Sequence, residues 1–279
     1  MRFVLFLLTL IASVSAPAAE VIRIEGSLSR PVQASVFPPA GDACQGIAII
    51  SHGAGGSELG YRYLGEALSS LGYLAIVPGH PESGREVVRE AVRFKGLRDA
   101  LADLIGDPQA YRARFGDIDV SGSWAASRCT GGTRLILVGH SMGAATVMLE
   151  AGAKNRLGLT GRDGFDAYIA LSPQGAGSIF EPDGWSQIRR PVLLVTGTRD
   201  TELGTGRWES RMEPFASLPA GCVWLAVLDG ATHMQFAGIG DSKAVEASTI
   251  RVIRAFLDAL AEPGCQPKFK APGIDLRHK

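Results

Sequence analysis

Short apolar runs rich in β-branched residues alternate with longer stretches of helical spacing along this chain. Segments 21–27 and 31–37 read as two strands joined by a short turn. Segment 47–50 is a brief apolar run that ends in Ser51-His52-Gly53. Over 61–71, Leu64, Leu68 and Leu71 fall on one helical face. Segments 73–77, 135–138, 167–171, 192–196 and 223–228 read as further strands. Helices are predicted over 84–105, 144–152 and 242–260. The first is the longest, and Asp107-Pro108 breaks the pattern after it, because a proline drives the preceding residue out of helical geometry. Segment 106–133 is rich in Gly and Ser with little periodicity, and reads as a long surface excursion. Strands alternating with helices imply a mostly parallel sheet covered on both faces, an α/β fold. No repeat or low-complexity linker interrupts the pattern, so residues 20–279 are expected to form one domain.

Of the 279 residues, 46% are hydrophobic and 20% charged, enough for a large core. The 28 basic and 28 acidic residues cancel, and no basic run is interleaved with aromatics. Nucleic acid and anionic membrane are therefore not expected as main partners. The N-terminus changes the picture more. Arg2 precedes an apolar run over 3–11, and Ala16-Pro17-Ala18 fits a small-residue cleavage pattern. Residues 1–19 read as a signal peptide, with a mature chain starting near Ala19 or Glu20 and a periplasmic or secreted location. The run is too short to span a bilayer comfortably, and no second long apolar segment follows. Stable membrane insertion after cleavage is thus not expected. Export alters the reading of Cys44, Cys129, Cys222 and Cys265. They contain no CxxC pair, which disfavours zinc or a redox motif. Four cysteines allow three disulfide pairings, and the sequence alone does not choose.

The most informative stretch is Leu135-Ile136-Leu137-Val138-Gly139-His140-Ser141-Met142-Gly143. It is a G-x-S-x-G between an apolar strand and a small-residue helix, and it occurs once. A serine on such a turn is strained and exposed, with a helix N-terminus beside it where negative charge develops. Its hydroxyl needs a base, and the base needs an acceptor to fix its tautomer. Only His233 and His278 follow Ser141. His233 sits in a loop after a strand, whereas His278 lies in a polar tail, so His233 is the candidate base. Asp200 follows the preceding strand and is the candidate acid, with Glu202 and Asp229 as competitors; a turn or helix-cap role is the plainer alternative for Asp200. An oxyanion hole would use the backbone N–H of Met142 and one from the glycine-rich loop 51–57, for which Ala54 is the candidate. His52 is expected to shape that loop. This chemistry requires no metal or organic cofactor.

These motifs, together with Pro78-Gly79-His80-Pro81, Thr196-Gly197-Thr198-Arg199-Asp200 and Gly230-Ala231-Thr232-His233, occur in the order seen in dienelactone-hydrolase-like α/β-hydrolases. The chain also resembles bacterial relatives of platelet-activating-factor acetylhydrolases and, more distantly, polyester hydrolases, over about residues 45–260 of a domain-sized fold. The resemblance implies the α/β-hydrolase fold, a mostly parallel central sheet of about eight strands flanked by helices. It also implies a serine hydrolase that cleaves small-molecule carboxylic esters through an acyl-enzyme. True dienelactone hydrolases have a cysteine where Ser141 stands, so dienelactone itself is not the implied substrate. An amidase or peptidase of the same fold and a non-catalytic binding protein are the competing readings. No large cap insertion lies between Ser172 and Pro191, so the site is expected to be open. Gln174 and Trp185 are candidates for the acyl pocket, Trp185 being equally suited to packing. His80 is either a substrate contact or a structural histidine. In this fold the strand over 47–50 lies beside the strand over 135–138, and the last helix returns to the lower sheet edge. That arrangement implies the disulfides Cys44–Cys129 and Cys222–Cys265.

Overall fold

The computed structural model describes residues 19–26, 29–41, 43–131, 134–201 and 207–279. The expected signal peptide, apart from Ala19, and Glu202 lie outside the described residues. Nine strands form one sheet in the order β1-β2-β4-β3-β5-β6-β7-β8-β9. They are β1 (Glu20–Ile24), β2 (Val32–Phe37), β3 (Gly46–Ser51), β4 (Tyr73–Pro78), β5 (Arg134–His140), β6 (Ala167–Leu171), β7 (Val192–Arg199), β8 (Val223–Thr232) and β9 (Ile274–His278). From β4 through β8 every neighbouring pair is parallel. Antiparallel pairs close the two ends. The central strands are buried on both faces, which is why they read as unbroken apolar runs. Ile47 and Ile49 join the core on one face, and Ala48 and Ile50 the core on the other.

Helices α1 (Arg62–Ser70) and α7 (Lys243–Ala259) cover one face. On the other lie α4 (Pro108–Ala126) and α5 (Met142–Glu150). Between them in sequence come α2 (Arg85–Lys95) and α3 (Leu97–Ile105), with the short α6 (Glu213–Ser217) after β7. Three expectations need correction. The helix expected over 84–105 is two helices, divided at Gly96, whose φ of 79° ends α2. The surface excursion expected over 106–133 is largely α4, a 19-residue helix. Asp107 caps α4, accepting from Gln109 N–H at 2.8 Å, and Pro108 occupies its first turn. The pattern hid α4 because buried Arg114, Asp117 and Ser121 interrupt the apolar residues on its core side. The tail around His278 is the edge strand β9, paired with β8.

Both expected disulfides are present, each with Cα atoms 5.4 Å apart. Cys44 and Cys129 meet because Gly46 and Arg134 stand opposite each other where β3 and β5 begin. Cys222 precedes β8, and Cys265 follows α7. The Cys44–Cys129 bond spans 85 residues. Replacing both of these cysteines with Ala is expected to lower unfolding free energy by about 2–4 kcal/mol in urea titrations. An unchanged midpoint would show that the bond does not restrain the unfolded chain.

Candidate active site

The turn from β5 into α5 is built on close approach. A Cβ on Gly139 would lie 2.2 Å from the Gly143 carbonyl oxygen, and one on Gly143 would lie 2.0 Å from that of Ser51. Without side chains at both positions the backbone closes tightly and forces Ser141 to φ 56°, ψ −119°. The Ser141 N–H donates to Leu171 O at 3.0 Å, which ties the strained residue to β6. Its Oγ thereby stands at the carboxyl edge of the sheet.

His233 begins a 3-10 turn directly after β8, held by a capping box between Thr232 and Gln235. Its Nε2 lies 3.0 Å from Ser141 Oγ, and its Nδ1 lies 2.8 Å from Asp200 Oδ1. An ionised carboxylate only accepts, so Nδ1 carries the proton and Nε2 accepts from the serine. Asp200, fully buried after β7, also accepts from Thr196 Oγ1 at 2.9 Å. Burial alone would push this carboxyl up; the His233 hydrogen bond and the Arg211 charge outweigh it and hold it at about 2. Asp229 is exposed and accepts from Thr198 Oγ1, so it is Asp200 that meets the histidine.

Sequence reasoning missed Arg211. It lies on the 3-10 turn Trp208–Met212 and is 2% exposed. Its Nε is 3.5 Å from Asp200 Oδ1, and its Nη1 donates to the carbonyls of Ser172 and Pro173. Nothing in the polar segment around it marks a buried cation. His140 and Tyr61 form a second support. His140 Nε2 donates to the His233 carbonyl at 3.1 Å, so its Nδ1 accepts from Tyr61 Oη at 2.8 Å. Tyr61 Oη in turn accepts from Gly53 N–H at 3.1 Å. Burial, then the nearby His233, push His140 well below the ordinary histidine value, so it remains a neutral strut.

The loop 51–56 follows β3. Gly53 N–H bonds Tyr61, Gly55 N–H bonds Ser83 O at 2.8 Å, and Gly56 N–H bonds Gly53 O at 3.1 Å. Among the described residues Ala54 N–H has no protein acceptor, and amides so placed are the ones left for a ligand. Met142 is the first residue of α5, so its N–H has no partner within that helix. A cavity of about 600 Å³ opens at Ser141 and His233, with Leu59, Tyr61, Met234 and Ile239 among its walls. Gln174, Trp185 and His80 do not line it. Trp185 is 1% exposed and packs on Phe180, ring centroids 5.2 Å apart. Gln174 is buried next to the Pro173 carbonyl that Arg211 holds. His80 lies behind the loop, bonded to Ser51 and Asp117.

A depressed carboxylate stabilises the native state above its unfolded pKa, and this is lost as pH falls through its folded value. For Asp200 that window runs from about 4 down to about 2. Arg211→Gln is expected to reduce stability near neutral pH by roughly 3–5 kcal/mol, the usual effect of breaking a buried ion pair. The gap from wild type, measured by urea titration, should narrow as pH falls through that window. A gap that stays constant there would remove Arg211 from the electrostatics of Asp200.

Known proteins similar to this chain share its fold. Cutinase 2 of Thermobifida cellulosilytica is 26% identical over 227 residues, 80% of this chain and 73% of its own length. Cutinase cut1 of Thermobifida fusca is also 26% identical, and the aligned region is 60% of its length. Among solved structures, a putative dienelactone hydrolase from Klebsiella pneumoniae aligns at TM-score 0.60 and 20% identity, covering 85% of this chain and 97% of that one. A serine hydrolase from Xanthomonas campestris described as lacking a lid aligns at TM-score 0.56 and 18% identity, covering 85% and 94%. The profile of the Alpha/beta hydrolase family matches residues 48–257, a span that runs from β3 through most of α7 and holds Ser141, Asp200 and His233. The sheet order, the strained serine turn and that match together make this chain a member of the alpha/beta hydrolase family.

Proposed function

We propose that this protein is a carboxylic-ester hydrolase that works through an acyl-enzyme, with Ser141 as nucleophile, His233 as base and Asp200 as orienting acid. The observation that carries the reading is the unbroken relay Ser141–His233–Asp200, with separations of 3.0 and 2.8 Å, at the floor of an open cavity. As Ser141 Oγ attacks the ester carbonyl carbon, its proton passes to His233 Nε2. The carbonyl oxygen becomes negative and takes hydrogen bonds from Ala54 N–H and Met142 N–H. The intermediate then collapses, the C–O bond to the alcohol breaks, and His233 returns the proton to the leaving oxygen. A water activated by the same histidine releases the acid. Asp200, kept ionised, stabilises the imidazolium formed in each half-reaction.

The cutinase relatives support an ester over an amide. Acylaminoacyl peptidase from Pyrococcus horikoshii shares the fold at 11% identity, but this chain covers only 43% of that structure. An exported location belongs to the same reading. Two disulfides suit an oxidising compartment, and among the described residues no helix is long and apolar enough to cross a membrane.

Ser141→Ala is expected to lower turnover of short p-nitrophenyl esters by at least about 10³-fold with the fold intact by circular dichroism. Asp200→Asn should lose about 10⁴-fold, because an amide cannot hold the productive tautomer. Asp229→Asn should stay within a few-fold of wild type. Ester turnover at wild-type rates in folded Ser141→Ala would refute the assignment.

A further inference from the structure

A second Ser–His–Asp relay lies behind the first. Ser51 Oγ is 3.0 Å from His80 Nε2, and His80 Nδ1 is 2.9 Å from Asp117 Oδ2. All three residues are buried, with at most 1% exposure. The proton logic repeats that of the catalytic set: the carboxylate accepts from Nδ1–H, so Nε2 accepts from the Ser51 hydroxyl. Arg30 adds an ion pair to Asp117 at 3.0 Å.

What differs is Arg114 of α4, fully buried one turn before Asp117. Its Nη1 donates to Ser51 Oγ at 3.1 Å and to the His52 carbonyl at 2.6 Å, and its Nε donates to Ser83 Oγ at 2.9 Å. The Ser51 lone pairs are thus directed at a cation and its proton at His80, an arrangement that suppresses nucleophilicity. Three further bonds tie this cluster to, or brace, the loop that carries Ala54. His80 N–H donates to His52 Nε2 at 3.1 Å, and His52 Nδ1–H donates to the Gly53 carbonyl at 2.7 Å. The Ser83 carbonyl takes the Gly55 N–H. The Gly53 carbonyl, which shares a peptide with Ala54 N–H, and the His52 carbonyl of the peptide before it are therefore both fixed by side chains.

We infer that Arg114 is a positioning residue for the oxyanion loop, acting through the His52 carbonyl, and that Ser51–His80–Asp117 is its buried support rather than a second nucleophile. The inference rests on the ester-hydrolase reading and deepens it. Arg114 touches no substrate; it sets where Ala54 N–H points when the tetrahedral oxygen forms. Neutral His52 and His80 suit such a frame, since neither ring gains or loses a proton during turnover. Burial, followed for His80 by Arg114 and Arg30, pushes both well below the ordinary histidine value.

The test compares the wild type, Arg114→Met and Ser51→Ala using a p-nitrophenyl ester, a trifluoromethyl ketone and the matching methyl ketone. The trifluoromethyl ketone adds to Ser141 and makes an oxyanion, whereas the methyl ketone reports ground-state binding. Arg114→Met is expected to reduce kcat roughly 10–100-fold with KM within about 3-fold. Affinity for the trifluoromethyl ketone should fall by a similar factor, while methyl ketone affinity is unchanged. Ser51→Ala, which removes one hydroxyl and serves if Arg114→Met does not fold, should show the same split at about 3–10-fold. Ser141→Ala treated with a fluorophosphonate should carry no label on Ser51. A folded variant with kcat and both affinities at wild-type values overturns the inference while leaving the ester reading standing, and so does a uniform loss of both affinities. A Ser51 adduct overturns it by making Ser51 a nucleophile. A wild type that neither cleaves the ester nor binds the trifluoromethyl ketone overturns the ester reading, and this inference with it.

Discussion

The close approach of three backbone segments at Gly139, Gly143 and Ser51 is the constraint on which the rest of the site depends. It makes Ser141 adopt a conformation that side-chain-bearing residues avoid, and it does so by packing rather than by any contact of the serine side chain. The same approach sets the end of β3 against the first turn of α5. Ser141 and the loop after β3 are therefore one packed unit, although about 90 residues separate them in the sequence. The parallel pairing of β3 with β5, Ser51 opposite Gly139, supplies the register that makes the approach possible.

Two buried arginines stand at this edge, and they work through different partners. Arg211 is close to the Asp200 carboxylate and adds to the ionic field that keeps the acid charged. Arg114 donates to the neutral oxygens of Ser83, Ser51 and His52, and burial brings its guanidinium down to about 10. Removing such a charge from water is costly unless its donors are used, and here Nη1 serves the loop after β3 while Nε serves Ser83. Asp117 shows the same tension: burial raises it to about 6 against the pull of Arg30 and Arg114.

The sheet was legible because its central strands are apolar on both faces and end in glycine-rich turns. Ser141 was legible for the same reason, since its glycines and flanking pattern are local. His233 and Asp200 followed from chain order and strand ends. α4 was not legible: on the side facing the core Arg114, Asp117 and Ser121 interrupt the apolar residues, and the partners of Arg114 and Asp117 lie on distant segments and leave no periodic trace. Arg211 was hidden likewise, because its burial is decided by Asp200 and the Ser172–Pro173 carbonyls. Gln174 and Trp185 stand away from the cavity at Ser141, because aromatic or amide character near a strand end does not say which way the chain turns, and Trp185 turns into the core.

The Cys44–Cys129 bond closes a covalent ring around β3, the loop that carries Ala54, α1, β4, α2, α3 and α4. Ser141, Asp200 and His233 all lie outside that ring. Gly96, at the junction of α2 and α3, is exposed and within it. A protease that cuts the chain at this junction would leave two pieces still joined as one molecule, with the strands on either side of the nick unbroken. Only reduction would then part the fragment carrying Ala54 from the fragment carrying Ser141. In an oxidising, protease-rich medium, the bond thus confers tolerance to nicking as well as resistance to unfolding.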